Sequence, residues 1–277
     1  MEPGLKVPAA GTHEGKNYAR KSVSLHIDIK SGFKVKYGER KCSRLDERYA
    51  RMALLMGSSA VERLAGKKVL VCGVGGVGSY IAEALARGGV GGIDLLDFDV
   101  VSRSNINRQI VALESTIGRN KAEIMAERIA DINPDIKTNV IKIFLSEDNI
   151  PGLLENGGYD FAADAIDSVP SKVSLIYHAS RLGVPMISSM GTGNKLDPTR
   201  FSITDISKTS VCPLAKKMRY ELKKLGVRHH TVLFSNEEPI KPHETESGRH
   251  VPGSVSFVPS CAGLMIAGYI IKKLAEE

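Results

Sequence analysis

The chain has 277 residues, of which 42% are hydrophobic and 25% are charged, the composition of a soluble globular protein of one large or two small domains. Residues 1–19 are polar and contain several glycines and prolines, so they do not resemble a signal peptide. None of the four cysteines belongs to a Cys-x-x-Cys pair, which argues against a structural zinc site and a disulfide framework and fits a reducing cytoplasm. The most apolar segment, residues 255–271, is interrupted by proline and glycine and is expected to be a buried helix rather than a membrane span.

The net charge of +7 is concentrated in two zones of the chain. Residues 1–41 hold nine Lys or Arg against four Asp or Glu, and residues 208–230 hold seven against one. Two basic zones on a mildly acidic body indicate a polyanionic partner. The alternative is that both zones are simply solvated charged segments.

Hydrophobic periodicity predicts the elements in chain order. Residues 22–30 alternate apolar and polar positions, which is typical of a half-buried strand, and residues 44–64 have the pattern of one or two helices around Gly57. From residue 67 onward strands and helices alternate, which predicts βαβ units and a parallel sheet. Strands are expected at 68–73, 92–97, 137–144, 159–165 and 184–189, and helices at 77–87, 119–132, 170–182 and 212–225.

The last part of the chain predicts an extension of this sheet. Short strands are expected at 200–205 and 232–235, a long polar loop at 236–253 and a closing helix at 264–274. The predicted fold class is therefore α/β and Rossmann-like, with a mostly parallel sheet, flanking helices and a C-terminal extension of additional strands and a helix.

A glycine-rich turn follows the first strand of the alternating region. The pattern Gly73-x-Gly75-x-x-Gly78, with a further glycine at Gly76, is a dinucleotide fingerprint, and Asp97 ends the next strand. Glycines let the backbone approach phosphates, and the acid can accept hydrogen bonds from ribose hydroxyls. A Walker-type loop is excluded because no Gly-Lys-Ser/Thr follows. Taken alone, the fingerprint favours a nicotinamide or flavin enzyme.

Polar residues that follow Asp97 favour a different nucleotide. Asn105, Arg108 and Gln109 are spaced i, i+3 and i+4, so one helical turn would present all three to the nucleotide pocket. Lys121 stands near a predicted helix start, where the helix dipole disfavours a cation, and phosphate binding explains it better. Several cations beside the phosphates are unnecessary for hydride transfer, but they suit a triphosphate.

Asp167 follows the strand predicted at 159–165, at the edge where open parallel sheets bind ligands. There its carboxylate is placed to hold a Mg²⁺ ion that bridges phosphate oxygens. The structural alternative is that Asp167 caps the helix that opens near Pro170.

Five ordered motifs together resemble the ubiquitin-activating-type adenylyltransferases, which include bacterial enzymes of molybdopterin and thiamine synthesis. The motifs are Gly73-Val-Gly-Gly-Val-Gly78, Asp97-Phe-Asp99, Ser104-Asn-Ile-Asn-Arg108-Gln109, Gly118-Arg-Asn-Lys121 and Ala165-Ile-Asp167. The resemblance implies that the cofactors are ATP and Mg²⁺ and that a carboxylate is adenylated with release of pyrophosphate.

Carried over by position, the resemblance assigns roles to individual residues. It implies that Asp97 binds the ribose and that Asp167 serves the metal. Arg51, in the segment Arg48-Tyr-Ala-Arg51, matches the arginine that reaches into the partner subunit's site, which implies a homodimer. The phosphates are assigned to Asn105, Arg108 and Lys121. The nucleotide site further includes Gly73, Gly75, Gly76, Gly78, Asp99 and Gln109. The implied catalytic set is Arg51, Arg108, Lys121 and Asp167.

The second half of the chain distinguishes branches of this superfamily. Activators of sulfur-carrier proteins usually have paired Cys-x-x-Cys zinc motifs there, and this chain has none. The segments Gly191-Thr-Gly-Asn-Lys-Leu-Asp-Pro-Thr199 and Val232-Leu-Phe-Ser-Asn-Glu-Glu-Pro239 instead resemble the tRNA-modifying branch. That branch uses ATP to close the threonylcarbamoyl side chain of a tRNA adenosine into a ring. A sulfur-carrier adenylyltransferase and a redox Rossmann module are the two alternatives.

The resemblance further implies partners and a domain division. Residues 44–277 form one adenylation domain, with a nucleotide-binding core at about 67–190 and a substrate portion at about 191–277, while the role of residues 1–43 is unassigned. Cys212 is the one plausible reactive thiol, and covalent transfer to a protein is disfavoured. A sulfur-mobilising protein of the cysteine desulfurase type is a second partner to consider, and no membrane partner is expected. The residues expected to bind the tRNA backbone are Lys216, Lys217, Arg219, Lys223, Lys224 and Arg228.

Overall fold

The computed structural model describes residues 46–241 and 252–276, so the strand predicted at 22–30 and part of the loop predicted at 236–253 lie outside the described residues. The described strands are β1 (Lys68–Cys72), β2 (Gly92–Leu96), β3 (Lys137–Ile141), β4 (Phe161–Asp164), β5 (Met186–Ser189), β6 (Phe201–Asp205) and β7 (Thr231–Ser235). They form one sheet in the order β3-β2-β1-β4-β5-β7-β6, in which only β6 runs antiparallel to its neighbour. The predicted Rossmann-like, mostly parallel sheet is confirmed, and the two late strands extend it.

Eight α-helices flank these strands in the described ranges. They are α1 (Ala50–Met56), α2 (Ser58–Ala65), α3 (Gly78–Arg87), α4 (Lys121–Ile132), α5 (Ile150–Gly157), α6 (Val169–Leu182), α7 (Pro213–Lys224) and α8 (Phe257–Glu276). The predicted break at Gly57 is confirmed, since this residue has φ +84° between α1 and α2. Helix α5 was missed because Pro151 and two glycines weaken its helical pattern. Helix α8 begins before residue 264 because Pro259 lies in its first turn, where proline costs no helical hydrogen bond.

The sheet has a hydrophobic core on each face. Because side chains alternate along a strand, Val69 and Val71 join one buried cluster with residues of α3, α4 and α8. Leu70 and Cys72 join a second cluster with residues of α5, α6 and α7. The strand β1, buried on both faces, is thereby fixed at the centre of the sheet, and the turn that follows it is held in place.

Helix α8 is long and apolar enough, by length and composition, to cross a membrane. In this fold it is a core helix, because Ala262, Ile266 and Ile270 are fully buried. Its contact with α3 is close: a Cβ atom on Gly263 would lie 2.4 Å from the carbonyl oxygen of Val77. The expectation of a buried C-terminal helix is confirmed.

Candidate active site

A cleft of about 260 Å³ opens where the strands end at the carboxyl edge of the sheet. The chain runs from β1 outward to β2 and β3, then crosses to β4 on the other side of β1, so the cleft lies at the topological switch point. The sequence-predicted residues that line it are Gly73, Gly75, Gly76, Asp97, Asp99, Arg108, Gln109, Lys121 and Asp167. Gly78, Asn105 and Arg51 do not line it.

The glycine loop owes its shape to two of its four glycines. Gly73 has φ +84°, and a Cβ atom there would lie 2.9 Å from the carbonyl oxygen of Ala165. A Cβ atom on Gly78 would lie 1.7 Å from the carbonyl oxygen of Gly73, so only glycine lets α3 begin this close to β1. Gly75 and Gly76 line the cleft itself and leave their backbone open to a ligand.

Asp97, directly after β2, organises this loop from beneath. Its side chain is buried, and its two oxygens accept hydrogen bonds from the N–H groups of Val74 at 2.7 Å and Asp99 at 2.9 Å. Burial raises the pKa of Asp97, while these hydrogen bonds and the charge of Lys121 act in the opposite direction. The carboxylate of Asp97 therefore fixes the backbone at Val74, the first residue after Gly73. This contact is additional to the ribose contact that the sequence predicts for Asp97.

Lys121 is the first residue of α4, and its Nζ donates to Asp99 Oδ2 at 2.9 Å. Asn120, which the sequence reasoning missed, is the N-cap of this helix: its oxygen accepts from two N–H groups of the first turn. Its amide donates to the carbonyl oxygens of Asp97 and Asp99. An asparagine at a helix start is a signal for such a cap. Asn120 thus joins the start of α4 to the end of β2 and fixes where Lys121 begins.

The predicted helical turn after Ser104 forms, since the N–H groups of Arg108 and Gln109 both donate to Asn105 O. The side chains diverge, however. Asn105 is buried and its Oδ1 accepts from Ser102 N at 3.1 Å, which closes the turn. Arg108 lines the cleft, with Nη1 donating to Ser104 O. Gln109 also lines it, and its buried Oε1 has no hydrogen-bond partner among the described residues, as expected of an atom that a ligand contacts.

Asp167 lies in the turn between β4 and α6 and is exposed to the cleft. Helix capping does not explain it, because the N-cap of α6 is Ser168. No group of three or more His, Cys, Asp or Glu side chains that could hold a metal occurs within 46–241 and 252–276. The carboxylate of Asp167 fits Mg²⁺ that arrives on a phosphate chain, since Mg²⁺ is usually held by one or two carboxylates plus substrate phosphates.

The apolar wall of the cleft was not found by sequence reasoning. Phe98 and Phe144 are about half exposed there and pack edge to face, with ring centroids 5.4 Å apart. Ile143 and Leu145 continue this wall. Phe98 lies in the motif with Asp97, and Phe144 follows β3. The position of both residues after the carboxyl end of a strand was the sequence signal that could have placed them at the cleft. A wall of this kind suits the flat ring of a nucleobase.

Arg51 lies on α1, exposed and outside the cleft of its own chain. On the same helix the side chains of Leu54 and Leu55 are 85% and 90% exposed. Adjacent exposed leucines are typical of an interaction surface. The role of Arg51 in a partner subunit's site stays a prediction.

The residues predicted for tRNA binding lie on α7 or just after it, and most are exposed. Arg219 differs, because it is half-buried and its Nη1 donates to Thr209 O at 3.0 Å, which holds the segment before α7. Glu221 pairs with both Lys217 and Lys224. The exposed cations without a hydrogen bond or ion pair to the described residues, which we name the α7 surface, are Lys216, Lys223 and Arg228.

Two of the three cysteines in the described chain, Cys72 and Cys212, are buried. Cys212 is 2% exposed at the start of α7, so the prediction that it is a plausible reactive thiol is wrong. Cys72 is fully buried in β1, and burial, reinforced by the charge of Asp164, raises the pKa of its thiol far above the usual range. Its predicted inertness agrees with this environment.

The sheet order, the switch-point cleft and the glycine loop define a nucleotide-binding protein of the Rossmann-like class. Cations and an exposed carboxylate line the same cleft, an arrangement for phosphates rather than for hydride transfer. Residues 49–277 match the model of the ThiF family, and the chain belongs to this family.

Comparison with individual proteins gives extended similarities and partial ones. The chain is 41% identical to tRNA threonylcarbamoyladenosine dehydratase of Bacillus subtilis over 242 residues, which cover 83% of this chain and 95% of the relative. Its fold matches Escherichia coli tRNA N6-threonylcarbamoyladenosine dehydratase in complex with ATP, with a TM-score of 0.77, 36% identity and coverage of 84% and 97%. Molybdopterin-synthase adenylyltransferase of Salmonella typhimurium is 36% identical over 143 residues, 51% of this chain and 57% of that protein.

Proposed function

We propose that this protein is an ATP-dependent dehydratase that acts on threonylcarbamoyladenosine in tRNA. The observation that carries the proposal is the cleft, in which a glycine loop faces two cations, Arg108 and Lys121, and the exposed carboxylate of Asp167. The extended similarities support the choice of substrate, since both relatives are named as dehydratases of this modified nucleoside. The similar Escherichia coli structure contains ATP, which supports the choice of nucleotide.

The reaction has two steps that together remove one molecule of water. In the first, the side-chain carboxylate of the modified adenosine attacks the α-phosphorus of ATP, and pyrophosphate leaves. In the second, a nitrogen of the same side chain attacks the activated carbonyl carbon, its proton is released, and AMP leaves as the ring closes. Charge grows on phosphate oxygens in the first step, where fixed cations stabilise it. The nucleophile belongs to the substrate, so the protein needs no reactive thiol and supplies positioning.

The residue roles follow from these steps. In this proposal Asp97 accepts hydrogen bonds from ribose hydroxyls, and Arg108 and Lys121 bind phosphates. Asn105 would donate to a phosphate through its amide nitrogen, because its Oδ1 already accepts from Ser102 N. Magnesium, held by Asp167 and phosphate oxygens, would neutralise charge on the leaving pyrophosphate.

Partners are part of the same proposal. The α7 surface would contact the tRNA backbone by charge, since exposed cations without partners in residues 46–241 and 252–276 can pair with phosphates. Arg51 together with the exposed Leu54 and Leu55 on α1 supports a homodimer in which the arginine enters the other subunit's cleft. A sulfur-mobilising partner and a cytoplasmic location remain part of the hypothesis.

The test is pyrophosphate release with tRNA from cells that do or do not make the threonylcarbamoyl modification. Release of pyrophosphate and AMP only with modified tRNA is the expected result. Equal turnover with unmodified tRNA, or none with modified tRNA, would contradict the proposal. A stable acyl-adenylate with a small sulfur-carrier protein would favour the adenylyltransferase alternative. Tight NAD binding without ATP binding in calorimetry would favour a redox module.

A further inference from the structure

A buried ion pair lies beside the cleft and has no part in the roles above. Lys172 of α6 and Asp164 at the end of β4 are both 0% exposed, and Lys172 Nζ lies 2.7 Å from Asp164 Oδ2. Neither residue lines the cleft. Burying two charges is costly, so such a pair needs good geometry and further hydrogen bonds to its remaining polar positions.

Both partners make these further bonds to backbone that leads into the cleft. Asp164 Oδ1 accepts from the N–H of Ile166 at 3.1 Å, and Ile166 is a cleft residue. Lys172 Nζ donates to the carbonyl oxygen of Ser189 at 3.0 Å, and Ser189 is the last residue of β5. The pair therefore joins the turn after β4 to the end of β5.

Among the described residues Lys172 forms an ion pair with Asp164 alone. The nearby imidazole of His230 is partly buried and lies 2.8 Å from Ser188 Oγ. Burial and the charge of Lys172 lower the pKa of His230 to about 4, although Asp205 opposes this shift. At neutral pH His230 is therefore uncharged and does not compete for Asp164.

We propose that the Lys172–Asp164 pair is the positioning element for Asp167. The pair fixes the turn that follows β4 from one side, and Ala165 fixes it from the other, since its N–H donates to Cys72 O at 2.8 Å. Asp167 follows Ala165 and Ile166 and lies between Asp164 and Lys172 along the chain, so these contacts fix the backbone from which its carboxylate projects. The proposal rests on the role of Asp167 as the magnesium ligand in the proposed function.

The test measures ATP affinity by calorimetry, once with Mg²⁺ and once with EDTA. The readout is the ratio of the affinity in Mg²⁺ to the affinity in EDTA, which we call the gain. Asp167→Asn should remove most of this gain. Asp164→Leu combined with Lys172→Met replaces the pair by apolar side chains and leaves no charge unpaired. It should reduce the gain by about 10- to 100-fold, the usual effect of losing a group that orients a metal ligand. Affinity in EDTA should change little.

Two further variants separate positioning from general stability. Asp164→Asn with Lys172→Met keeps an oxygen for the Ile166 N–H, so its gain should fall only several-fold. Glu83→Leu with Arg128→Met removes another partly buried pair, between α3 and α4, and should leave the gain unchanged. Urea unfolding checks that each variant is folded.

The double-mutant cycle decides the proposal. The variant that carries all three substitutions should lose no more of the gain than Asp167→Asn alone, because both changes act through one carboxylate. Additive losses, or a wild-type gain in either folded variant of the pair, would overturn the proposal. A wild-type protein that binds ATP equally well in Mg²⁺ and EDTA would instead contradict the magnesium role in the proposed function, and the positioning role of the pair with it.

Discussion

Asparagine in place of Asp97 preserves the shape of the side chain and removes one of the two acceptors that hold the glycine loop. Asp97 Oδ2 accepts from Val74 N and Oδ1 accepts from Asp99 N. Asparagine has a single oxygen, so one of these N–H groups would face an amide NH₂ group instead. The loop would lose its fixed geometry on the side that faces the nucleotide.

The magnitude follows from the burial of Asp97, which is 8% exposed, so water does not replace the lost acceptor. A hydrogen bond to a charged group contributes about 1.5–3 kcal/mol. Relief of the burial cost that raises the pKa of Asp97 offsets part of this loss. We expect a net loss of about 1–2 kcal/mol in ATP binding, which corresponds to roughly 5- to 30-fold weaker affinity.

Calorimetric titration with ATP measures this change, and Asp94→Asn is the matched control. Asp94 lies on β2, the strand that Asp97 follows; it is 3% exposed and bonds to Tyr159 and Lys68 rather than lining the cleft. Its substitution should lower the free energy of unfolding in urea and leave ATP affinity unchanged. Wild-type affinity in Asp97→Asn, or equal weakening in both variants, would refute the reasoning.

Three further predictions concern charged side chains. Arg108→Ala should abolish ATP–pyrophosphate exchange, whereas Arg103→Ala, outside the cleft, should retain it. Alanine at all three cations of the α7 surface should raise the KM for tRNA but not for ATP, and should lower the salt slope of tRNA binding by about 0.7–0.9 per cation. Arg128→Met should cost about 1 kcal/mol of stability near neutral pH, discounted for the 40% exposure of this arginine. Burial alone would raise the pKa of Glu83. The hydrogen bonds and charges of Arg128 and Arg87 outweigh burial and hold this pKa below its usual value of 4.5. The stability that Glu83 contributes is therefore present above pH 4.5 and is lost as the pH falls through its folded pKa, so the cost in Arg128→Met should vanish in urea unfolding at strongly acidic pH.

Each of these predictions has an outcome that contradicts it. Exchange activity in Arg108→Ala would show that the phosphates bind elsewhere. An unchanged KM for tRNA would remove the α7 surface from the tRNA site. A destabilisation in Arg128→Met that persists at acidic pH would mean that packing, rather than the charge of Glu83, accounts for its effect.

Local sequence patterns were sufficient to predict the sheet and the location of the cleft. Apolar runs such as Val69 to Cys72 alternate with segments of helical period, which predicts strands between helices. Because parallel strands bring their carboxyl ends to one edge of the sheet, Gly73 and Asp97 were expected to lie close together there. The resemblance of five motifs then predicted most of the polar groups that line the cleft, but not its apolar wall. Asn105 does not line the cleft, because its side chain closes its own turn, and Gly78 and Arg51 lie outside the cleft as well.

Partners that are distant in sequence were not predictable in this way. Nothing in the pattern of α6 distinguishes Lys172 from a solvated lysine, and Arg219 looked like its neighbours on a basic helix. Their partners, Asp164 and Thr209, become apparent only when the sheet and helices are packed. The burial of Cys212 was equally hidden in the sequence.

The contact between α8 and the glycine loop has a consequence for biosynthesis. The loop is translated early, yet Pro259 in the first turn of α8 lines the same cleft, and a Cβ atom on Gly76 would lie 3.3 Å from Pro259 Cβ. A nascent chain that has emerged only as far as α7 has its phosphate loop but lacks one wall of the cleft, and the apolar face of α3 is uncovered. ATP bound in the complete cleft can therefore stabilise the fold only after α8 has been synthesised, and until then that face of α3 stays exposed.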